Sequence, residues 1–242
     1  MTSYISGMPL WAIILFILSF FCSLIFISGR AKEAAINAGI TAHKSRNLQY
    51  GILAFYMIYL SYVSLLSLKG VLDTKSIPPT VMIFAALPLM ITLFGFIGNT
   101  VLFKKLLQSI TLESLITLHV FRIVGVFFIF LYAYHLLPTE FAFSAGLGDI
   151  FTACLALPVA KMVSKGKSWS IPIAYAWNIL GILDIVTLLI IATIDGKRSI
   201  ETGGLGVKEM TLFPFVWFPA FAPATILFLH TVIFRKLRQL KH

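Results

Sequence analysis

A helix that crosses the hydrocarbon core of a bilayer needs roughly 20 mostly apolar residues in a row. This chain has seven such stretches, at about 9–28, 50–72, 80–103, 114–137, 143–163, 171–194 and 211–234. Together they take up most of its 242 residues, and no connection between them is long enough to fold alone. With 59% hydrophobic residues, 12% charged residues and a mean hydropathy of +0.96, the chain lies outside the soluble range. The expected fold is all-α: one polytopic transmembrane domain over residues 1–242, built as a seven-transmembrane-helix bundle.

The charges between the stretches set the expected orientation. The segment MTSYISGMPLW before the first apolar run has no basic residue, while Arg30 and Lys32 follow the run. That order is the reverse of a secretory signal and places the N-terminus outside, ahead of an uncleaved first helix. The connections then assigned to the inside carry Arg30, Lys32, Lys44, Arg46, Lys104, Lys105, Lys161, Lys165 and Lys167. The cytoplasmic tail adds Arg235, Lys236, Arg238 and Lys241. Outer connections have Lys75, Lys197, Arg198 and Lys208 against Asp73, Glu140, Asp195, Glu201 and Glu209, so basic residues concentrate on one side as topology requires. The net charge of +10 therefore implies anionic lipid at the inner face as a partner, and no nucleic acid. The longest outer connection, GKRSIETGGLGVKE, is Gly-rich and is expected to be a linker. Cys22 and Cys154 sit in apolar runs without a C-x-x-C partner, and are expected to be buried thiols rather than a disulfide or a metal site.

Inside the fourth stretch, HVFRIVG places Arg122 about nine residues from the inner end, roughly 13 Å deep at 1.5 Å per residue. Two acids lie at about 20 Å by the same rise: Asp149 in SAGLGDIF of the fifth stretch and Asp184 in WNILGILD of the sixth. A charge at such depth costs roughly 2.5 to 3.5 kcal/mol on insertion scales, so the three are expected to face one another in the bundle interior. Gly146, Gly148 and Gly181 put small residues beside both acids, where helices can approach closely. Asn178 lies about 240° around an ideal helix from Asp184, so joining it on the same side needs a kink. A purely structural clamp of three helices would need one acid for one arginine. The second carboxylate implies a group that exchanges a proton, a cation or a ligand amine.

Weaker signals surround this cluster. Tyr59 and Tyr62 share a face of the second stretch with Lys69 and are candidate lining residues. The seventh stretch reads FPFVWFPAFAP, in which Pro214, Pro219 and Pro223 are expected to break the outer half. Phe215, Trp217, Phe218 and Phe221 surround that break, as broken membrane helices do at substrate sites. His119 and His230 both lie within roughly two turns of the inner face and form an alternative pair of axial haem ligands, whereas His135 sits at the far end. A retinal Schiff base is excluded, because the seventh stretch holds no lysine before Lys236. Hydrolase, zincin, phosphate-loop and dinucleotide motifs are all missing from the sequence, so the chain leans away from an enzyme.

The run FRIVGVFFIFLYAYHLLPTEFAFSAGLGDIF, followed by AWNILGILD and FPAFAPATILFLH, resembles a group of bacterial integral membrane proteins without an assigned activity. The resemblance covers the fourth to seventh stretches and implies a bacterial inner membrane location, with no site residues to carry over. The expected function is binding or transport of a small solute, with proton coupling as an option. The expected ligand-binding residues are Arg122, Asp149, Asp184, Asn178, Tyr59, Tyr62 and Trp217. No cofactor or metal is expected in this reading. The alternatives are a haem-binding redox protein using His119 and His230, and a structural or accessory subunit of an oligomer or larger membrane complex.

Overall fold

A computed structural model describes residue 5, residues 7–73 and residues 76–240. Lys75, Lys241 and most of the MTSYIS segment, all used in the charge count, lie outside the described residues. The described residues form helices and contain no β-strand. Seven helices are long and apolar enough to cross a membrane, the build of an integral membrane protein. They are α1 (Leu10–Asn37), α2 (Ala42–Leu68), α3 (Met82–Asn99), α5 (Leu112–Ala133), α6 (Thr139–Ser164), α7 (Ser170–Thr202) and α8 (Trp217–Gln239). A short helix, α4 (Val101–Ser109), joins α3 to α5.

Several helices overrun their apolar windows. Helix α1 continues through GRAKEAAIN and α2 starts in AHKSRNLQ, because Ala, Lys, Arg, Glu and Gln are good helix formers whatever their hydropathy. Helix α7 likewise absorbs the first half of the expected linker. It runs on to Thr202, with Lys197 and Glu201 facing each other at 3.7 Å one turn apart, and stops at Gly203, whose φ of 70° is left-handed. Beyond that stop the chain is irregular to Val207 and then makes a 3₁₀ turn, Lys208–Thr211.

The third span is cut short. Helix α3 alternates wide π turns (Met82–Ala86, Ile91–Phe96) with one α turn and a closing 3₁₀ turn. Pro88 has no N–H to give the preceding turn, and the Tyr62 hydroxyl instead donates to the Phe84 carbonyl at 3.2 Å. Thr100 then turns extended, and its hydroxyl accepts from the Phe103 N–H at 3.1 Å to cap α4.

Helix α8 is the centre of the bundle, with 72% of its best spanning window buried, whereas α7 has 22% and lies at the periphery. The proline-rich entry to α8 is less broken than expected. Its irregular part ends at Val216; Pro219 falls in the first turn, where its missing N–H has no helical partner to lose, and only Pro223 sits inside the helix. Around this entry the aromatics are tightly packed rather than lining a space: Phe16 lies 4.6 Å from Phe215 and Phe128 lies 4.2 Å from Phe218, centroid to centroid. Cys22 and Cys154 are both exposed on the outside of the bundle, so the expectation of buried thiols is overturned.

Candidate functional site: a buried Arg–Asp–Asp–His cluster

The stretch that holds Arg122 is wound differently from its flanks. Residues His119–Gly125 form a 3₁₀ helix, while Leu112–Leu118 and Val126–Ala133 on either side are α-helical. At three residues per turn, side chains three apart eclipse. His119, Arg122 and Gly125 therefore share one row, and all three are buried; another row holds the half-buried Val120 and Val126 with the exposed Ile123 between them. The winding turns the one charged residue of α5's middle toward α6, α7 and α8.

There the Arg122 guanidinium uses its whole donor fork. Its Nε donates to Asp149 Oδ1 at 2.7 Å, and Nη2 donates to Asp184 Oδ2. The third nitrogen, Nη1, faces the Gly181 carbonyl at 3.5 Å and His230 Nε2 at 3.4 Å. The Arg122 side chain is 0% exposed, that of Asp149 6% and that of Asp184 19%, so only Asp184 has an open side. The expected meeting of one arginine with two acids is what the structure contains.

His230 completes the cluster, and its tautomer follows from the hydrogen bonds around it. Asn178 Nδ2 donates to the His230 carbonyl at 3.1 Å, which leaves Asn178 Oδ1 as the acceptor 2.8 Å from His230 Nδ1. The ring proton therefore sits on Nδ1, and the Nε2 lone pair is free to accept from Arg122. Asn178 joins the cluster through His230 on α8, not beside Asp184, so the kink thought necessary for its membership is not needed.

Three glycines make this density possible. A Cβ on Gly125 would run into the Asp149 carboxyl group, one on Gly148 would overlap the Asp184 carboxylate, and one on Gly181 would overlap the His230 ring. Gly146 packs in the same way against Ile129. Their role is to leave room for charged and ring groups, as well as to let helices approach. A void of about 20 Å³ remains beside Arg122 and Asp149, walled by Ser23, Phe121, Phe218 and Phe221, room for a single water.

The other expected site residues lie elsewhere. Tyr59 donates to the Ala220 carbonyl at 2.9 Å, Trp217 Nε1 donates to Ser64 at 2.9 Å, and Tyr62 serves α3 as described, so all three lace helices together rather than joining the cluster. The His119 ring lies against that of His230, tilted by 35° with centroids 4.1 Å apart, and meets Trp177 edge-on at 5.2 Å. Neither of its ring nitrogens has a hydrogen-bond partner among the described residues. The pair does not fit haem ligation, which needs two imidazoles on opposite faces of a porphyrin. Here the rings are in contact with no slot between them, and both His230 nitrogens are already engaged. Asn178 is one of the expected site residues; the part missed from sequence is the place of His230 in the cluster, expected only as an alternative haem ligand.

Seven helices of membrane-spanning length and hydropathy around a charged, hydrogen-bonded centre are the build of an integral membrane protein. Within that class, residues 78–238 match the family described as a domain of unknown function (DUF8737), and the chain belongs to that family. The match takes in α3 to α8 and so contains every member of the cluster. No curated protein and no solved structure matches the chain.

Proposed function

We propose that this protein binds and moves a small solute across the bilayer, with proton exchange at the Arg122–Asp149–Asp184–His230 cluster. The observation that carries the reading is charge stoichiometry: one buried guanidinium is shared by two carboxylates and a neutral imidazole. Two carboxylates on one cation leave a surplus negative charge in low dielectric, and binding a proton or a cationic group relieves it. Asp184, the partly exposed acid, is the entry point; Asp149, sealed beside Arg122, holds the second position. The void of about 20 Å³ makes this a closed state, so solute entry requires α7, the least buried helix, to move. In this reading the basic end faces the cytoplasm of a bacterial inner membrane and contacts anionic lipid.

The test is proton flux into pyranine-loaded proteoliposomes under an imposed potassium diffusion potential, with a panel of small organic acids and amines added in turn. Wild-type protein carries flux with at least one of them, and Asp149→Asn and Asp184→Asn, each shown to be folded, fall to the level of protein-free vesicles. Unchanged flux in both variants sinks the proposal. The smallness of the void favours a second reading, a structural clamp within a larger assembly. That reading is supported if wild-type vesicles carry no flux with any probe and the protein purifies with partner chains.

A further inference from the structure

A second feature lies at the basic end, one turn along α5 and α8 from the cluster. Leu118 and Leu229, the immediate neighbours of His119 and His230, form part of the wall of a cavity of about 470 Å³ between α1, α2, α3, α4, α5 and α8. That is within the roughly 300–1,000 Å³ of small-molecule sites. Its lining is aliphatic and aromatic, with the hydroxyls of Tyr56, Thr100 and Thr225 the only polar side-chain groups. Water is held in a cavity by two to four polar partners, and an unfilled apolar void forfeits the dispersion contacts of its walls. The occupant such a lining selects is a hydrocarbon chain.

The short helix α4 supplies the other half of an amphiphile site. Leu102, Phe103, Leu106 and Leu107 face the cavity, and Lys104 and Lys105, between them in sequence, are exposed on the opposite side. Helix α4 and the end of α3 are tied in place from α8: Lys236 Nζ donates to the Leu107 and Gln108 carbonyls of α4 at 3.1 and 2.9 Å, and Arg235 donates to the Gly98 carbonyl of α3 at 3.1 Å. An amphipathic helix with leucines inward and lysines outward lies in the headgroup plane. None of the ion pairs among the described residues uses Lys104 or Lys105. Of the carboxylates at this end, Glu33 is already paired with Arg30 at 2.8 Å, and Glu113 stands at the start of α5.

We propose that this cavity takes one acyl chain of an anionic phospholipid, with the headgroup held against Lys104 and Lys105. The exposed Gly51 and the half-exposed Leu102 mark the opening through which the chain enters from the surrounding leaflet.

The test is native mass spectrometry of the full chain, taken from nanodiscs of equal parts phosphatidylglycerol and phosphatidylcholine with identical chains. Wild-type protein retains one phosphatidylglycerol per chain, favoured about tenfold over phosphatidylcholine. A Cβ at Gly51 meets nothing within 4 Å, so Gly51→Phe fills the space without displacing backbone. It lowers retention by about tenfold at unchanged helical circular dichroism, and Ala31→Phe, entering from α1, does the same. The double variant Lys104→Gln with Lys105→Gln keeps the lipid but loses the headgroup preference. The proposal is overturned if both cavity-filling variants retain as much lipid as wild type, or if wild type holds the two lipids equally. It is also overturned if added palmitate is retained in place of phosphatidylglycerol.

Discussion

Replacing Arg122 by methionine removes the one cation that two buried carboxylates share, and the consequence can be worked from the geometry. Asp149 loses its 2.7 Å partner with a side chain 6% exposed, and Asp184 loses its partner with one 19% exposed. Removing one partner of a buried ion pair costs about 3–5 kcal/mol, because the remaining charge is left without compensation. His230 Nε2 also loses its donor, but it can stay neutral, so its share is smaller. At about 2–4 °C per kcal/mol for a chain of this size, Arg122→Met lowers the midpoint of thermal unfolding by roughly 6–20 °C. The triple variant Arg122→Met, Asp149→Asn, Asp184→Asn keeps the side-chain volumes and removes all three charges. It recovers most of that loss, since replacing a buried ion pair by neutral groups of similar shape is close to neutral. The assay is tryptophan fluorescence against temperature in mild detergent, with circular dichroism as a second probe. If Arg122→Met and the triple variant melt together at the wild-type temperature, the three charges are not energetically coupled. If the triple variant is the less stable of the two, the charges are not the source of the loss.

Gly148→Ala forces a methyl group into the Asp184 carboxylate and destabilises by about 1–3 kcal/mol as overpacking does. Gly196→Ala, inside α7 with nothing within 4 Å of the added atom, stabilises by about 0.5–1 kcal/mol; the two measured together separate contact from helix propensity. Glu209 lies between the last two spans, and burial pushes its carboxyl above the ordinary glutamate value, with Lys208 opposing. A raised folded value favours the protonated form, so its contribution to stability is present below the ordinary glutamate value and is lost as pH rises through the raised one. Proteolysis of the segment after Gly203 should speed up over that window in wild type and be flat in Glu209→Gln.

The parts of this molecule that were legible in the sequence are those governed by transfer to lipid. Hydropathy located seven spans, and the depth of Arg122, Asp149 and Asp184 forced them together, because each alone is too costly in hydrocarbon. Helix ends were not legible by the same measure. Hydropathy reports where lipid begins, while α7 stops eight residues beyond the expected span, where Gly203 takes a left-handed φ. The place of His230 in the cluster, beside Asn178, stayed hidden for a different reason. Their pairing depends on the rotational setting of α7 against α8, which no period within either helix records. Tyr59 and Tyr62 were read as lining residues from their shared helix face and Trp217 from its place beside the proline break, but a hydroxyl or an indole N–H in an apolar run needs a partner. The partners proved to be a hydroxyl and backbone carbonyls of neighbouring segments.

The tight winding of His119–Gly125 has a mechanical side. A 3₁₀ helix rises about 2.0 Å per residue and turns about 120°, against about 1.5 Å and 100° for an α-helix. Seven residues rewound to the α form would shorten by about 3.5 Å and turn one half of α5 against the other by about 140°. Within that motion Arg122 swings about 60° relative to His119, out of the common row. This segment is thus a screw thread cut into a single helix, in which a small axial slide of α5 becomes a large rotation of the guanidinium away from its carboxylates.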